Sequence, residues 1–245
     1  VDSYLWKAPE DCPEHCGESV NFAQLLEKVA AISPQLRVRF STSYPSDITD
    51  EVLYTMAAHS NICRHIHFPV QSGSDAMLEK MRRKYDRKWY LERVARIREI
   101  VPDCGLTTDV IAGFCGESEE DHRDTLSLFE EVGFDAAFMF QYSERPGTLA
   151  ARKFEDDVPP EVKTRRLNEI IALQNRKGAE NYKKMIGRQL EVLVEGPSKK
   201  TPEDLCGRAS NYMMCVWPDS VHKAGDYVQV EVVDATPATL LCRLV

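Results

Sequence analysis

Four short polar stretches have the composition to do chemistry together: Ser41-Thr42-Ser43, Gln71-Ser72-Gly73-Ser74, Asp109 with Gly113 through Glu117, and Tyr142 through Thr148. Each follows an apolar run of strand type. All four therefore fall at the same end of a parallel sheet, the edge where the loops of α/β barrels converge on ligands. Glycine allows close backbone approach, while Ser, Gln and Asp supply the donors and acceptors that a ribose or an amino-acid end requires. A single such loop only turns the chain. Four in register predict a shared small-molecule site.

Other chemistries find little support. The chain has no G-x-S-x-G, no H-E-x-x-H and no P-loop. His65 and His67 alternate along one strand and so share a face, but no third ligand stands at a sensible spacing, and they are expected to line a barrel. Cys12 and Cys16, in "DCPEHC", are spaced like the first two cysteines of a cluster-binding CxxxCxxC, but Ser19 occupies the third position. Cys63, Cys104, Cys206, Cys215 and Cys242 fall in apolar or strand-like contexts and are expected to be reduced thiols. His15, His59, His122 and His222 are isolated. Trp89 and Trp217 sit at apolar positions, and Trp217 suits a barrel core as well as a base-stacking surface.

These residues must be positioned by a chain of 245 residues, enough for one large or two smaller domains. Strand-like and helix-like segments alternate to residue 150. "VNFAQLLEKVAAI" (20–32) has helical spacing, and "RVRFST" (37–42) reads as a strand. Asp47 or Thr49 can cap a helix through Met56. "HIHFPV" (65–70) is a strand, Ser74 caps a short helix to Arg82, and Asp86 caps another over 87–101. "GLTTDVIAGF" (105–114) is a strand. Ser118 and Asp121 form a capping box for a helix that stops at Gly133. "AAFMFQYS" (136–143) is near-continuously apolar, as expected of a strand covered on both faces. Such alternation means a parallel sheet or barrel with helices outside. Four strands are too few to close one, and Val1 reads as lying within a βα loop, so the chain is expected to begin mid-domain.

Asp157, Pro159 and Pro160 open a long helix that ends near Gly187. Beyond it, five short alternating segments separated by Gly, Pro, Asn and Asp predict a small antiparallel β-barrel of the OB type. The boundary is placed at 185–188, giving domains 1–186 and 187–245.

The net charge of −8 and 29% charged residues hide a marked local imbalance. Residues 80–98 carry nine Lys/Arg against Asp86 and Glu92, whereas 117–135 carry eight Asp/Glu against Arg123. A phosphate backbone responds to local potential, so the acidic total does not exclude RNA. Solvated helix faces would give the same pattern. No apolar run is long enough to span a membrane and the first residues do not resemble a signal peptide, so a cytoplasmic protein is expected.

Three strings carry a resemblance. "HFPVQSGSDAMLEKMRRKYDRKWYLERVARIREIVPD", "TTDVIAGFCGESEEDHRDTLSLFEEVGFDAAFMFQYSERPGTLAA" and "DDVPPEVKTRRLNEIIALQ" closely resemble the methylthiotransferase family of radical-SAM enzymes, and the last 59 residues resemble its TRAM domain. "PVQSGS" and "AFMFQYSERPGT" are most similar to the MiaB-type branch, which modifies tRNA. The resemblance implies an α/β fold: a partial (β/α) radical-SAM barrel followed by a small OB-like TRAM barrel. It implies methylthiolation at C2 of N6-isopentenyladenosine beside the anticodon. It also implies two [4Fe–4S] clusters and two roles for S-adenosylmethionine, as source of a deoxyadenosyl radical and of the methyl group. By position, Ser41, Thr42, Gln71, Ser72, Gly73, Thr108, Asp109, Ala112 and Gly113 would meet the cosubstrate. Arg83 would pair with its carboxylate or with an RNA phosphate.

Departures accompany the likeness. Cys115 stands where the family commonly has proline, and Asp86 where threonine is usual. The CxxxCxxC and the family's N-terminal domain are not found, so neither cluster is expected to be ligated by this chain, which alone is expected to be inactive. The tRNA anticodon stem-loop and an electron donor are the implied partners of a monomer. Arg82, Lys84, Arg87, Lys199, Lys200, Arg208, Tyr212 and Lys223 are the candidate RNA contacts, with Arg243 a further cation of the barrel. Three alternatives stay open: the branch acting on threonylcarbamoyladenosine, a non-catalytic RNA-binding fragment, and an unrelated α/β-barrel enzyme using the same loops.

Overall fold

The computed structural model describes residues 4–8, 17–41 and 44–245. Its first part opens with an antiparallel pair, β1 (Leu5–Lys7) and β2 (Ser19–Asn21), which the sequence reading did not foresee. Asn21 then caps α1 (Phe22–Ala30) in a reciprocal box with Gln24. Thr49 caps α2 (Asp50–Ala58), Ser74 caps α3 (Asp75–Lys80) and Asp86 caps α4 (Arg87–Ile100). The Ser118–Asp121 box opens α5 (Glu119–Val132), which ends at Gly133 in the left-handed conformation. Each cap gives a side-chain acceptor to an amide that the helix cannot satisfy itself.

The strands β3 (His65–His67), β4 (Gly105–Ala112) and β5 (Ala136–Gln141) form a parallel sheet in that order. Two strand expectations shorten. The described residues of the 37–42 segment give only an isolated bridge from Val38 to Ile62, and the 65–70 strand pairs continuously only to His67, resuming at a bridge between Gln71 and Val110. The Thr108 hydroxyl takes over part of the ladder there, donating to the Phe68 carbonyl at 2.9 Å and accepting the Val70 amide at 3.0 Å.

Helices cover one face of this sheet. Leu106, Thr108, Val110 and Ala112 of β4 are buried on it, together with fully buried Tyr90 of α4, whose hydroxyl donates to the Phe68 carbonyl at 2.7 Å. The expectation that β5 is covered on both faces fails. Ala137 and Met139 pack on the core, but Phe138 and Phe140 are 59% and 55% exposed. A continuous apolar run does not tell a two-sided strand from one whose second face serves something else.

After the short α6 (Leu149–Lys153), α7 (Pro160–Lys183) runs back along β5 and α5. It begins beside Gly113, where Lys163 packs, and ends where Asn181 donates to the Gly133 carbonyl and to Asp135. The second part is a closed barrel ordered β10-β8-β7-β6-β9. Its strands are β6 (Gln189–Pro197), β7 (Asp204–Ala209), β8 (Met214–Pro218), β9 (Tyr227–Thr236) and β10 (Thr239–Leu244). All neighbours are antiparallel except β8 and β10, which close the barrel in parallel. Trp217 is fully buried at its centre, its indole N–H reaching Asp219 at 3.3 Å. The choice between core and base-stacking surface is settled for core.

The barrel sits at the N-terminal end of the parallel strands. Ser210 accepts the Arg64 amide, Arg37 and Arg39 donate to the carbonyls of Arg208 and Ala209, and the Asn211 carbonyl occupies the space a Cβ on Gly105 would need. No helix among the described residues is long and apolar enough to cross a membrane.

Candidate functional site

On the sheet face without helices, successive residues of one register come together. Thr107, Asp109 and Ile111 point there from β4, next to His65 and His67 of β3 and opposite Phe138 and Phe140 of β5. Near the C-terminal end of the strands this face opens into a cavity of about 560 Å³. Gln71, Asp109 and Ile111 line it on one side; Phe140, Tyr142, Arg145 and Thr148 line it on the other. It is amphipathic, with carboxylate and amide beside aromatic wall, the mixture that binds small ligands in a defined orientation.

Gln71 is the strained member. Its φ of 72° lies in the left-handed region, which costs a residue with a Cβ about 1–2 kcal/mol. Its peptide is held there by hydrogen bonds from its own N–H to the Asp109 carbonyl at 2.8 Å and from the Ile111 N–H to its carbonyl at 2.9 Å. Strain at a cavity rim, enforced by the surrounding ladder, marks a functional position more often than a structural one. Tyr142, in the same wall, has its hydroxyl pushed up to about 12 by burial and by the neighbouring Cys115 thiol.

The other residues expected at the cosubstrate divide. Ser72 and Gly73 face away from the cavity, bonded to the Thr125 hydroxyl at 3.3 and 3.0 Å, with Gly73 packed against the Asp124 carbonyl. Thr108 and Ala112 are buried on the helical face. Ser41 is exposed, and Thr42 lies outside the described residues, as do Cys12, His15, Cys16 and Ser43. Gly113 closes the end of β4 against α7: its φ is 72°, and a Cβ there would come within 2.3 Å of the Lys163 stem. Arg83 lies between α3 and α4 with its guanidinium 5.9 Å from the Tyr44 ring centre; its Nε is buried without a hydrogen-bond partner.

The loop after β4 is held by contacts the sequence did not disclose. Glu117 accepts the Gly113 amide at 2.8 Å and pairs with Arg166 of α7 at 2.9 Å, both side chains nearly fully buried. Arg166 also donates to the Glu117 carbonyl at 2.8 Å and to Glu119 at 2.8 Å. Burial raises the Glu117 carboxyl above its ordinary range, opposed by the Gly113 amide and by Arg166. Lys163 bonds to Asp156 at 2.6 Å and to the Tyr142 carbonyl at 3.3 Å. Two α7 cations therefore brace the strand ends that border the cavity. Partners 49 residues apart leave no local signal.

Of the residues expected at RNA, Lys199, Lys200 and Lys223 are exposed on the β6–β7 and β8–β9 loops, and Arg82 and Lys84 are exposed between α3 and α4. Arg87 is committed within the chain, to the Asp124 carbonyl at 2.6 Å and to Glu131 at 3.2 Å. Arg208 pairs with Glu195. Tyr212 is also committed. Its ring stacks on His65 at 4.6 Å and carries the guanidinium groups of Arg39 and Arg208 at 5.1 and 4.8 Å, leaving it 44% exposed.

A second cleft, of about 570 Å³, lies at the opposite end of the strands between Arg98, Gly105, Lys184 and Asn211. Its charges are largely engaged in ion pairs, among them Arg188–Asp103 and Lys177–Glu130. Its rim also holds a left-handed residue, Asp103 at φ 61°, but it lacks the exposed aromatic wall, which favours the cavity at Gln71. No group of three or more His, Cys, Asp or Glu that could hold a metal ion occurs among the described residues.

Comparisons with known proteins match two separate stretches of the chain. Residues 18–129 match the Radical SAM superfamily, and residues 183–245 match the TRAM domain. A tRNA-2-methylthio-N(6)-dimethylallyladenosine synthase of Bacteroides thetaiotaomicron is 53% identical over 240 residues, covering 98% of this chain and 51% of that protein. Its namesake in Amoebophilus asiaticus is 54% identical over 246 residues, again 98% and 51%. That of Bacteroides fragilis is 56% identical over 224 residues, or 91% and 49%. The chain thus spans about half the length of the curated relatives it matches. Among solved structures, the radical SAM enzyme coproporphyrinogen III oxidase of Escherichia coli superposes with a TM-score of 0.53 at 18% identity, over 89% of this chain and 52% of that one, a likeness of fold.

Proposed function

Because the chain belongs to the radical-SAM methylthiotransferase family, we propose that it forms the cosubstrate-binding sheet and the RNA-binding barrel of a tRNA-modifying enzyme. Its reaction is methylthiolation at C2 of N6-isopentenyladenosine next to the anticodon. The observation that carries this reading is the amphipathic cavity at the C-terminal ends of the parallel strands, in a chain that also holds an RNA-binding type of barrel. The division between the two parts falls at 185–188.

The cavity suits S-adenosylmethionine chemically. Asp109 accepts hydrogen bonds, as ribose hydroxyls or an ammonium require, and Gln71 can both donate and accept. The orphaned Nε of Arg83 is suited to an anion, the cosubstrate carboxylate or an RNA phosphate. Bound S-adenosylmethionine supplies a hydrogen-abstracting radical and a transferable methyl group. The chain's own part is to orient it: the ladder around Gln71 and the Glu117–Arg166 pair fix the strand ends against which it lies. Phe138 and Phe140 offer an apolar wall for a five-carbon side chain on the substrate base. Among the described residues, no group of His, Cys, Asp or Glu fits an iron–sulfur cluster.

Lys199, Lys200 and Lys223, with Arg82 and Lys84, are the cations left to meet the anticodon stem-loop. A monomer working in the cytoplasm with an electron donor completes the reading. The test is nucleoside mass spectrometry of tRNA from a strain lacking the gene. Isopentenyladenosine without its methylthio group is expected. An unchanged profile, or loss of methylthio from threonylcarbamoyladenosine instead, overturns the assignment.

A further inference from the structure

A line of hydrogen bonds runs along the helix-free face of the sheet toward the cavity. His65 Nε2 lies 3.1 Å from the Thr107 hydroxyl, Thr107 lies 3.0 Å from His67 Nδ1, and His67 Nε2 lies 3.3 Å from Asp109 Oδ1. We propose that His65, Thr107 and His67 form a positioning relay that fixes the Asp109 carboxylate as a hydrogen-bond acceptor for the ligand of the cavity, and that Tyr212 of the barrel clamps its far end. The role given to Asp109 rests on the reading of that cavity as a nucleoside site.

The direction of the relay follows from proton counting. An ionised carboxylate only accepts, so the nitrogen of His67 that faces Asp109 carries the proton. In a neutral imidazole the other nitrogen is then an acceptor, and Thr107 must donate to it. The Thr107 oxygen is left to accept from His65 Nε2–H. With His67 neutral, one arrangement satisfies all four groups, and it leaves Asp109 Oδ2 outside the relay. Burial, then Arg39 and His67, hold the His65 pKa at about 4, so this ring is neutral where the protein works. A third group that fixes the tautomer and orientation of an imidazole is how proteins hold a histidine–carboxylate pair to one geometry.

Both ends are immobilised by packing. The His67 ring meets Phe138 edge-on at 5.8 Å. His65 lies nearly parallel to the Tyr212 ring, 4.6 Å away, on the turn that also accepts the Arg64 amide through Ser210. Tyr212, whose ring is expected from the sequence to stack on a base, thereby acquires a role inside the chain. The barrel becomes part of the wall that orders the cavity.

Imidazole nitrogen NMR on the whole chain at neutral pH tests the relay directly, and titration with S-adenosylhomocysteine tests its consequence. His67 is expected as the Nε2–H tautomer. Thr107→Val keeps the shape and removes the hydroxyl; it should give mixed tautomers and weaken the probe by about tenfold, the worth of a charge-assisted hydrogen bond's alignment. Thr107→Ser should restore both, which a packing role alone would not do. An Nδ1–H tautomer in the wild type, or a His67 spectrum unmoved by Thr107→Val, overturns the relay whatever the probe does. Equal binding by wild type and Thr107→Val, with the tautomer changed, overturns its positioning role. The expected spectra without any binding by the wild type support the relay and overturn the nucleoside reading of the cavity.

Discussion

The buried pair behind the cavity allows a sharp prediction. In Arg166→Met the side chain keeps much of its volume, but Glu117, with 2% of its side chain exposed, loses its counter-charge and the two hydrogen bonds that Arg166 Nη1 donates to its carboxylate and its carbonyl. Breaking a buried pair by removing one partner costs about 3–5 kcal/mol. Burial already raises the Glu117 carboxyl, and without Arg166 it rises further. A folded-state carboxyl raised above its unfolded value, about 4.3 for glutamate, contributes stability at acid pH. That contribution is lost as pH climbs through the folded value. The variant is therefore expected to lose most stability at neutral pH and to recover part of it on acidification. Adding Glu117→Gln removes the charge, and should return about 1–3 kcal/mol and flatten the pH profile. Urea unfolding followed by far-ultraviolet circular dichroism across that pH range measures both. A loss below about 1 kcal/mol in Arg166→Met, or a double variant as pH-dependent as the single one, refutes the reasoning.

Three further outcomes follow from the geometry. Gln71→Gly relieves a left-handed backbone worth about 1–2 kcal/mol at an entropic cost of about 0.5–1 kcal/mol. Unfolding free energy should hold or rise slightly, while affinity for S-adenosylhomocysteine falls at least about tenfold. Gly113→Ala places a Cβ within 2.3 Å of a lysine stem tethered by Asp156, and should cost about 2–3 kcal/mol in urea unfolding. Changing Lys199, Lys200 and Lys223 to Glu should weaken binding of an anticodon stem-loop RNA. It should also reduce the slope of log affinity against log salt by about 2–3, roughly 0.7–0.9 per lost phosphate contact.

Legibility differed with range. Helix starts were readable because a cap is a local bond: Thr49, Ser74, Asp86 and Ser118 all accept the amide three residues on. The barrel was readable from five alternating strands. The open face of β5 was not, since Ala136–Gln141 is apolar at nearly every position and its two faces differ only in what covers them. Of the residues expected at the cosubstrate, Gln71 and Asp109 share the cavity. Ser72, Gly73, Thr108 and Ala112 were placed there by chain order alone; strand alternation turns Thr108 and Ala112 to the helical side, and Ser72 and Gly73 are drawn to the Thr125 hydroxyl of α5. The same alternation could have grouped Thr107, Asp109 and Ile111 with His65 and His67 beforehand. Glu117 with Arg166, and His65 with Tyr212, depend on tertiary packing.

The claim that the cavity at Gln71 and Asp109 is a nucleoside site can be tested by amide chemical-shift mapping of this chain titrated with S-adenosylhomocysteine. Saturable shifts are expected at Gln71, Asp109, Ile111, Phe140 and Tyr142, and they should be lost in Asp109→Asn. Shifts gathered instead around Arg98, Lys184 and Asn211, or unchanged by Asp109→Asn, would contradict it.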